Sequence, residues 1–251
     1  MLDKDYQKFA VLRFEDFKKM ATDPSLSIYE KIGFPNTYRE GKEGFIFADI
    51  VSKLDLLKSR KKTVLDIGSG CSELPRMLIE LCQRNDHKLI LLDSAEMLSQ
   101  LPDEPFIKKI PGYHPKCQAL FDEYIGKIDV ILTYSVLPCV FVEYNVWDFL
   151  DRTLTLLADG GQFLIGDIPN ISKRKRFFSS AAGIKFHQEF TNSQALPEVR
   201  FNQIEHQKID DSVIFSLMTR ARNQGFDAYV LPQTADLPMA NRREDILIIK
   251  P

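Results

Sequence analysis

Asp66, Gly68, Ser69, Gly70 and Asp93 are the residues whose types and order could hold a small ligand. Val64-Leu65-Asp66-Ile67 is a short apolar run that ends in Gly68-Ser69-Gly70. A helical pattern follows from Glu73, and a second apolar run, Leu89 to Leu92, ends in Asp93. This is a strand, a glycine turn, a helix and a second strand tipped by an acid, the outline of a dinucleotide-type half-site. Glycine lets the backbone turn sharply and lets a ligand approach with no Cβ in the way. The free N–H groups at the start of the helix favour a carboxylate or phosphate beside the turn. Two neighbouring parallel strands would put Asp66 and Asp93 on one sheet edge, where an acid accepts both hydroxyls of a ribose. A purely structural glycine turn, which every parallel α/β sheet needs, is the competing reading.

A Rossmann G-x-G-x-x-G would need glycine at 73, where Glu73 stands. The stretch instead resembles the class I S-adenosylmethionine-dependent methyltransferases. Asp66-Ile67-Gly68-Ser69-Gly70 matches their first motif, an acid followed by G-x-G, with Ser72 in place of the third glycine. Asp93-Ser94-Ala95-Glu96-Met97-Leu98 is similar to the D-x-S-x-x-M-L that often ends their second strand. The resemblance implies an α/β, Rossmann-like fold: a seven-stranded, mostly parallel sheet with an antiparallel last strand and helices on both faces. It implies an N-terminal helical and loop cap over residues 1–60. The S-adenosyl-L-methionine-binding domain would follow over residues 61–251, with an acceptor insertion near 171–208. By the same resemblance Asp66 would hold the methionine amino group, and Gly68 and Gly70 would pass beneath the methionyl and ribose parts. Asp93 would bind the ribose hydroxyls and Met97 would pack near the adenine. Ser69, Ser94 and Tyr134 complete the expected cofactor-binding set.

Methyl transfer from a sulfonium is an in-line displacement that asks the protein for positioning and desolvation. It requires no metal. A hydroxyl acceptor also calls for a general base. Asp167, at the tip of the Gln162–Gly166 run, and His187, in the insertion, are the catalytic candidates, ahead of His114, His206 and Glu189. For any one histidine a structural role competes. The family often carries an acid after the third strand to hold the adenine amino group. Here Pro111-Gly112-Tyr113-His114-Pro115 has none, which leaves backbone atoms or Tyr113. The Asn/Asp-Pro-Pro of many amine methylases is also missing after the fourth strand, where Tyr134-Ser135-Val136-Leu137-Pro138 stands. Tyr134 and Ser135 could line the acceptor site there. Tyr38 or Arg39, in the cap, is expected near the methionine end of the ligand. The basic run Lys173 to Arg176 is either a solvated helix face or a contact for a phosphate or carboxylate on the acceptor.

The elements that would position these residues follow from periodicity. Tyr6, Phe9, Ala10, Phe14, Phe17 and Met20 predict an amphipathic helix over residues 4–21, packing on the core or lidding a site. Residues 27–44 read as a loop-rich cap and Phe45 to Leu57 as a helix. Strands are expected at 106–110, 128–133 and 162–166. One helix is expected from Glu143 to Leu157, stopped by Gly160-Gly161. Asp210-Asp211-Ser212 predicts the cap of the last helix, before two β-rich runs at 226–231 and 245–249.

Of the 251 residues, 44% are hydrophobic and 27% charged, with net charge −2, a composition that suits a globular domain and not a general nucleic-acid binder. No apolar run approaches the length of a membrane span, and the N-terminus lacks a signal-peptide core. Cys71, Cys82, Cys117 and Cys139 are scattered and read as reduced thiols, with Cys71 a small buried filler. The expected protein is a cytoplasmic methyltransferase with a small-molecule acceptor, a sugar or nucleotide-sugar hydroxyl being one candidate. A methyltransferase acting on RNA or protein, and a non-catalytic subunit that keeps the fold, are the alternatives.

Overall fold

The computed structural model describes residue 9 and residues 12–251. Alternation along the strands builds its central layer. In β1 (Thr63–Ile67) Val64 turns to one face of the sheet, and Leu65 and Ile67 to the other. In β2 (Lys88–Asp93) Leu89 and Leu91 part from Ile90 and Leu92 in the same way. Apolar side chains on both faces demand cover on both sides, which is why such strands lie in a parallel sheet between helix layers.

The remaining strands are β3 (Ile107–Pro111), β4 (Ile128–Tyr134), β5 (Leu157–Pro169), β6 (Asp227–Pro232) and β7 (Arg243–Ile249). All seven form one sheet in the order β3-β2-β1-β4-β5-β7-β6, parallel except for β7, which is antiparallel to both neighbours. The expected mostly parallel sheet with an antiparallel last strand is therefore what the chain adopts. The chain leaves β3 at one edge and re-enters beside β1 as β4, so the order reverses between β1 and β4. A crevice opens at such a switch point, outside the C-terminal ends of the strands.

Among the described residues four α-helices precede β1: α1 (Phe14–Thr22), α2 (Ile28–Lys31), α3 (Asn36–Arg39) and α4 (Glu43–Lys53). Ile46 and Ile50 of α4 cover one face together with Leu78, Ile79 and Leu81 of α5 (Glu73–Arg84). After α6 (Ala95–Leu98) come α7 (Gln118–Tyr124), α8 (Leu137–Glu143) and α9 (Val146–Leu156). They cover the opposite face through Phe121, Leu137, Phe149 and Leu150, joined by Leu217 of α12 (Asp211–Asn223). Between β5 and α12 lie α10 (Ile171–Phe178) and α11 (Ala181–Thr191). Among the described residues no helix is long and apolar enough to cross a membrane.

Several local expectations are revised. Of the helix expected over 4–21, the described part begins at Phe14, and residues 4–8, 10 and 11 lie outside the described residues. The loop-rich cap contains two one-turn helices, the first capped by Ser27, whose side chain accepts the Glu30 N–H. The helix expected from Glu143 to Leu157 is two helices. Tyr144 is extended, and Asn145 caps α9 by accepting the N–H groups of Trp147 and Asp148. Glycine does not stop α9. The chain turns extended at Leu157, and Gly160, with φ +73, lies inside β5, next to a register irregularity against β4. The cap of α12 is as expected, with Asp210 accepting the Val213 N–H.

Candidate functional site

The Gly68-Ser69-Gly70 turn sits at the switch point. The Gly68 N–H still bonds Leu92 O, so the turn leaves directly from the β1–β2 ladder. Gly68 has φ +74 and Gly70 φ +67, the left-handed region in which a side chain is strained. A Cβ on Gly68 would also meet Val136 Cγ2 at 2.5 Å, so glycine here lets the β1 and β4 tips close on each other.

The amide of Gly70 donates to Asp93 Oδ2 at 2.8 Å, and the Ser94 N–H donates to Oδ1 at 2.6 Å. These bonds fix the carboxylate under the turn while each oxygen keeps a further lone pair. Ser94 also accepts the Met97 N–H, starting α6, so Met97 is set beside Asp93. Asp66 is buried behind the turn. Burial, then the charge of Asp93, pushes its carboxyl up to about 7, and burial lifts Asp93 to about 6.

The N-terminus of α5 does not wait for a ligand anion, as the sequence had suggested. Glu43, fully buried on α4, accepts the Leu74 N–H at 2.6 Å and takes that place itself. Sequence reasoning missed Glu43. The available signal was its position on the same helical face as Ile46 and Ile50.

Around the turn opens a cleft enclosing about 900 Å³, part of it open to solvent. Gly68, Ser69, Gly70, Asp93, Met97 and Tyr134 line it, whereas Asp66 and Ser94 stand just behind its wall. Phe14, Phe17, Ile32 and Phe34 of the N-terminal segment line its other side. The aromatics of α1 thus form a wall of the cleft. Tyr113 also lines it, its ring stacked on Tyr144 at 3.8 Å and its buried hydroxyl within hydrogen-bond geometry of no acceptor among the described residues. Arg39 lines the cleft, while Tyr38 faces a smaller cavity beside Met239.

At the tips of β4 and β5, Ser135 (φ +65) and Asp167 (φ +60) are both left-handed non-glycine residues. Such strain persists only where surroundings over-determine it, and here they do. Asp167 Oδ2 accepts from Ser135 Oγ, Arg39 Nη2 and Arg243 Nη1, and Oδ1 accepts from Gln233. The Asp167 N–H donates to Asp245, which also binds Lys53. Asp167 is thus the hub of a buried network tying α3, α4 and the β6–β7 end of the sheet to the β5 tip. It does not line the main cleft.

The structure does not bring His187 to the cleft. It lies on α11, edge-on to Phe178. His206 is exposed, and Glu189 is exposed on α11 opposite Lys185. His114 does line the cleft, but its Nε2 is spent on Thr153 Oγ1 at 2.7 Å, and burial drives its pKa down to about 3. It therefore stays neutral. Cys71 is buried, and burial pushes its thiol up to about 11, which makes it packing and not a nucleophile. Three of the four cations of the basic run are engaged internally, while Arg174 is exposed with its guanidinium over the Phe178 ring. Lys175 binds Glu205 and Gln203 O, Arg176 binds Asp211, and Lys173 binds Arg243 O.

No protein-family model matches this chain, and no curated protein matches it in sequence. Solved structures do. The plantazolicin methyltransferase BpumL in complex with SAH superposes with TM-score 0.55 at 15% identity, over 100% of this chain and 99% of that one. A protein assigned as an S-adenosyl-L-methionine-dependent methyltransferase from Methanococcus maripaludis superposes with TM-score 0.51 at 19% identity, over 95% and 93%. The CurJ carbon methyltransferase gives 0.55 at 15%, over 95% of this chain and 64% of that one. The chain has the class I methyltransferase fold. In this methyltransferase fold the crevice between β1 and β4 is where the Gly68–Gly70 turn, Asp93 and the aromatic wall converge.

Proposed function

We propose that this chain is an S-adenosyl-L-methionine-dependent methyltransferase acting on a small molecule. The observation that carries the reading is the Asp93 carboxylate, held by the Gly70 and Ser94 amides at the rim of a cleft that could take a nucleoside. The pocket fits the cofactor by its own chemistry. Gly68 and Gly70 line the cleft without side chains, and Asp93 keeps lone pairs for hydroxyl donors. Asp93 would accept the ribose hydroxyls, while Gly68, Ser69 and Gly70 underlie the ligand. Met97, set by Ser94 beside Asp93, would pack near the adenine, and Tyr134 would line the site. Asp66 would hold the methionyl ammonium from behind the turn. The cofactor, when bound, supplies a methyl already activated on a sulfonium.

The chain's own part is to bind, align and exclude water. Phe14, Phe17 and Phe34 supply an apolar wall that keeps the site dry. We propose that residues 1–60 act as the cap and 61–251 as the catalytic domain. Asp167 is read as the residue that positions Arg39 and Ser135, its lone pairs being taken up by four side chains. The aromatic lining favours a flat, apolar acceptor. With Lys173, Lys175 and Arg176 engaged internally, the basic run lends a sugar nucleotide weak support.

Thermal melting with S-adenosylmethionine, S-adenosylhomocysteine and NAD in parallel tests the reading. At a hundredfold excess over Kd a ligand adds roughly 2.7 kcal/mol, or about 5 to 10 °C for a chain of this size. A shift with both sulfur compounds and none with NAD is expected. No shift with any of them would overturn it. A shift without methyl turnover across an acceptor panel would favour the non-catalytic alternative.

A further inference from the structure

The segment after β5 carries a charge opposite to that of the rest of the chain. Residues 171–208 hold seven lysines and arginines against three acids, a net charge of +4, so the remainder of a chain at −2 carries −6. The two acids that follow are occupied: Asp210 caps α12 and Asp211 holds Arg176. Arg174, Lys185, Arg200 and Lys208 are exposed. α10 begins directly after β5, so this lobe stands at the C-terminal edge of the sheet, the edge onto which the cleft opens. α8 lies between the two: Cys139 and Val140 line the cleft, and Phe141 lines a groove under residues 201–208.

Residues 192–210 join α11 to α12 with neither helix nor strand. Connections of this kind beyond about 15 residues are uncommon in a compact domain and are mostly functional. The backbone here is tied down, Gln194 O accepting from Gln188 Nε2 and Gln203 O from Lys175 Nζ. The apolar side chains nevertheless stand in solvent: Ile204 is 84% exposed, Leu196 71% and Phe201 56%. Single exposed apolar residues are ordinary, but three so close together on one positive lobe mark a surface that is covered in use.

We propose that this loop docks the chain on an anionic lipid surface, with Leu196, Phe201 and Ile204 entering the interface and the cations of the lobe meeting the headgroups. Apolar side chains set among cations bind in this way without spanning a bilayer. A second copy would bring the same positive lobe against itself, and a nucleic acid offers charge but no apolar medium for an isoleucine and a leucine. Projecting side chains also suit a deformable interface better than a fixed protein surface. The net −6 elsewhere on the chain is repelled by the same lipid, so docking turns the cleft edge of the sheet toward the bilayer. The proposal is independent of the reaction in the cleft.

Co-sedimentation of the full chain with vesicles tests it. Phosphatidylcholine vesicles are compared with vesicles that contain about a quarter phosphatidylserine. The wild type should bind the anionic vesicles about tenfold or more tightly, and less as salt rises. Leu196→Ser with Ile204→Ser should weaken that binding by about tenfold. Lys185→Glu with Lys208→Glu, which brings the net charge of the lobe to zero, should remove the preference for phosphatidylserine. All four residues are exposed, and thermal melting checks that each variant is folded. If one pair of substitutions unfolds the chain, the other pair and the salt series decide. Equal binding to both vesicles, or anionic binding that both variants keep, overturns the proposal. So does an RNA oligonucleotide or polyglutamate bound as tightly as the anionic vesicles by wild type and L196S/I204S alike, charge alone then being recognised. Self-association abolished by L196S/I204S, with no vesicle binding, overturns it as well and gives the loop to a second copy.

Discussion

The amide of Gly70 donates to the Asp93 carboxylate at 2.8 Å across the gap between the β1 turn and the β2 tip. That bond ties the glycine turn to the acid at the β2 tip and offsets part of the cost of burying it. Asp66 and Asp93 share one buried corner, and burial raises both carboxyls from 3.8, to about 7 and about 6.

The pH dependence follows from that cost. A raised carboxyl means that the folded chain keeps its proton where the unfolded chain has lost it. Stability is therefore highest below about pH 4 as far as these groups are concerned, and falls as the pH rises through about 7. Asp66→Asn removes the larger shift. The unliganded variant should exceed the wild type at about pH 8 by roughly 2 to 4 kcal/mol, with the gap closing near pH 4. Urea melts at several pH values measure it, and parallel curves for the two proteins would contradict it. Asp93→Asn should weaken S-adenosylhomocysteine binding in the same preparation.

Gly68→Ala should destabilise the chain by about 2 kcal/mol or more. The left-handed φ costs roughly 1 to 2 kcal/mol for a residue with a Cβ, and the contact with Val136 adds to it. Gly126, also left-handed but open to solvent, gives the comparison. G126A should lose only the φ cost. Equal losses in equilibrium unfolding would mean that the β1–β4 closure contributes nothing.

Glu43→Ala should cost about 1 to 2 kcal/mol, since it removes the acceptor that holds the Leu74 amide at the start of α5. Glu43→Gln keeps an acceptor oxygen and should recover most of that loss. If E43A instead leaves the melting temperature unchanged and creates a phosphate-binding site, the helix end was available to ligands after all.

Asp167→Asn should destabilise the chain by about 3 kcal/mol or more, because it leaves Arg39 and Arg243 buried with no counter-ion. The loss should appear in the unliganded protein. A catalytic base would instead show lost turnover at unchanged stability. His187→Ala, on a helix away from the cleft, should leave S-adenosylhomocysteine affinity unchanged and stability within about 1 kcal/mol. Loss of ligand affinity in H187A would bring α11 back to the site.

Local chemistry made part of this protein readable from its sequence. The strands around Asp66 and Asp93 alternate with period two, the turn needs glycine at 68 and 70, and Asp210 caps its own helix three residues on. Each is a matter of neighbouring residues, so spacing alone specified them, together with the order of helices and strands that implied the sheet. The break between α8 and α9 was also local, but the apolar stripe from Val146 to Leu157 masked it, and the glycine pair looked like a stop. Only the tertiary structure decided which polar groups meet. Arg39 reaches Ser135 and Asp167 across 96 and 128 positions, and Glu43 reaches Leu74 across 31. Lys175 and Arg176 likewise find their acids in a later segment. A charged side chain carries no sign of its partner in the sequence. Its role is set by which other charge the fold buries beside it, because the cost of burial leaves an unpaired charge no stable place.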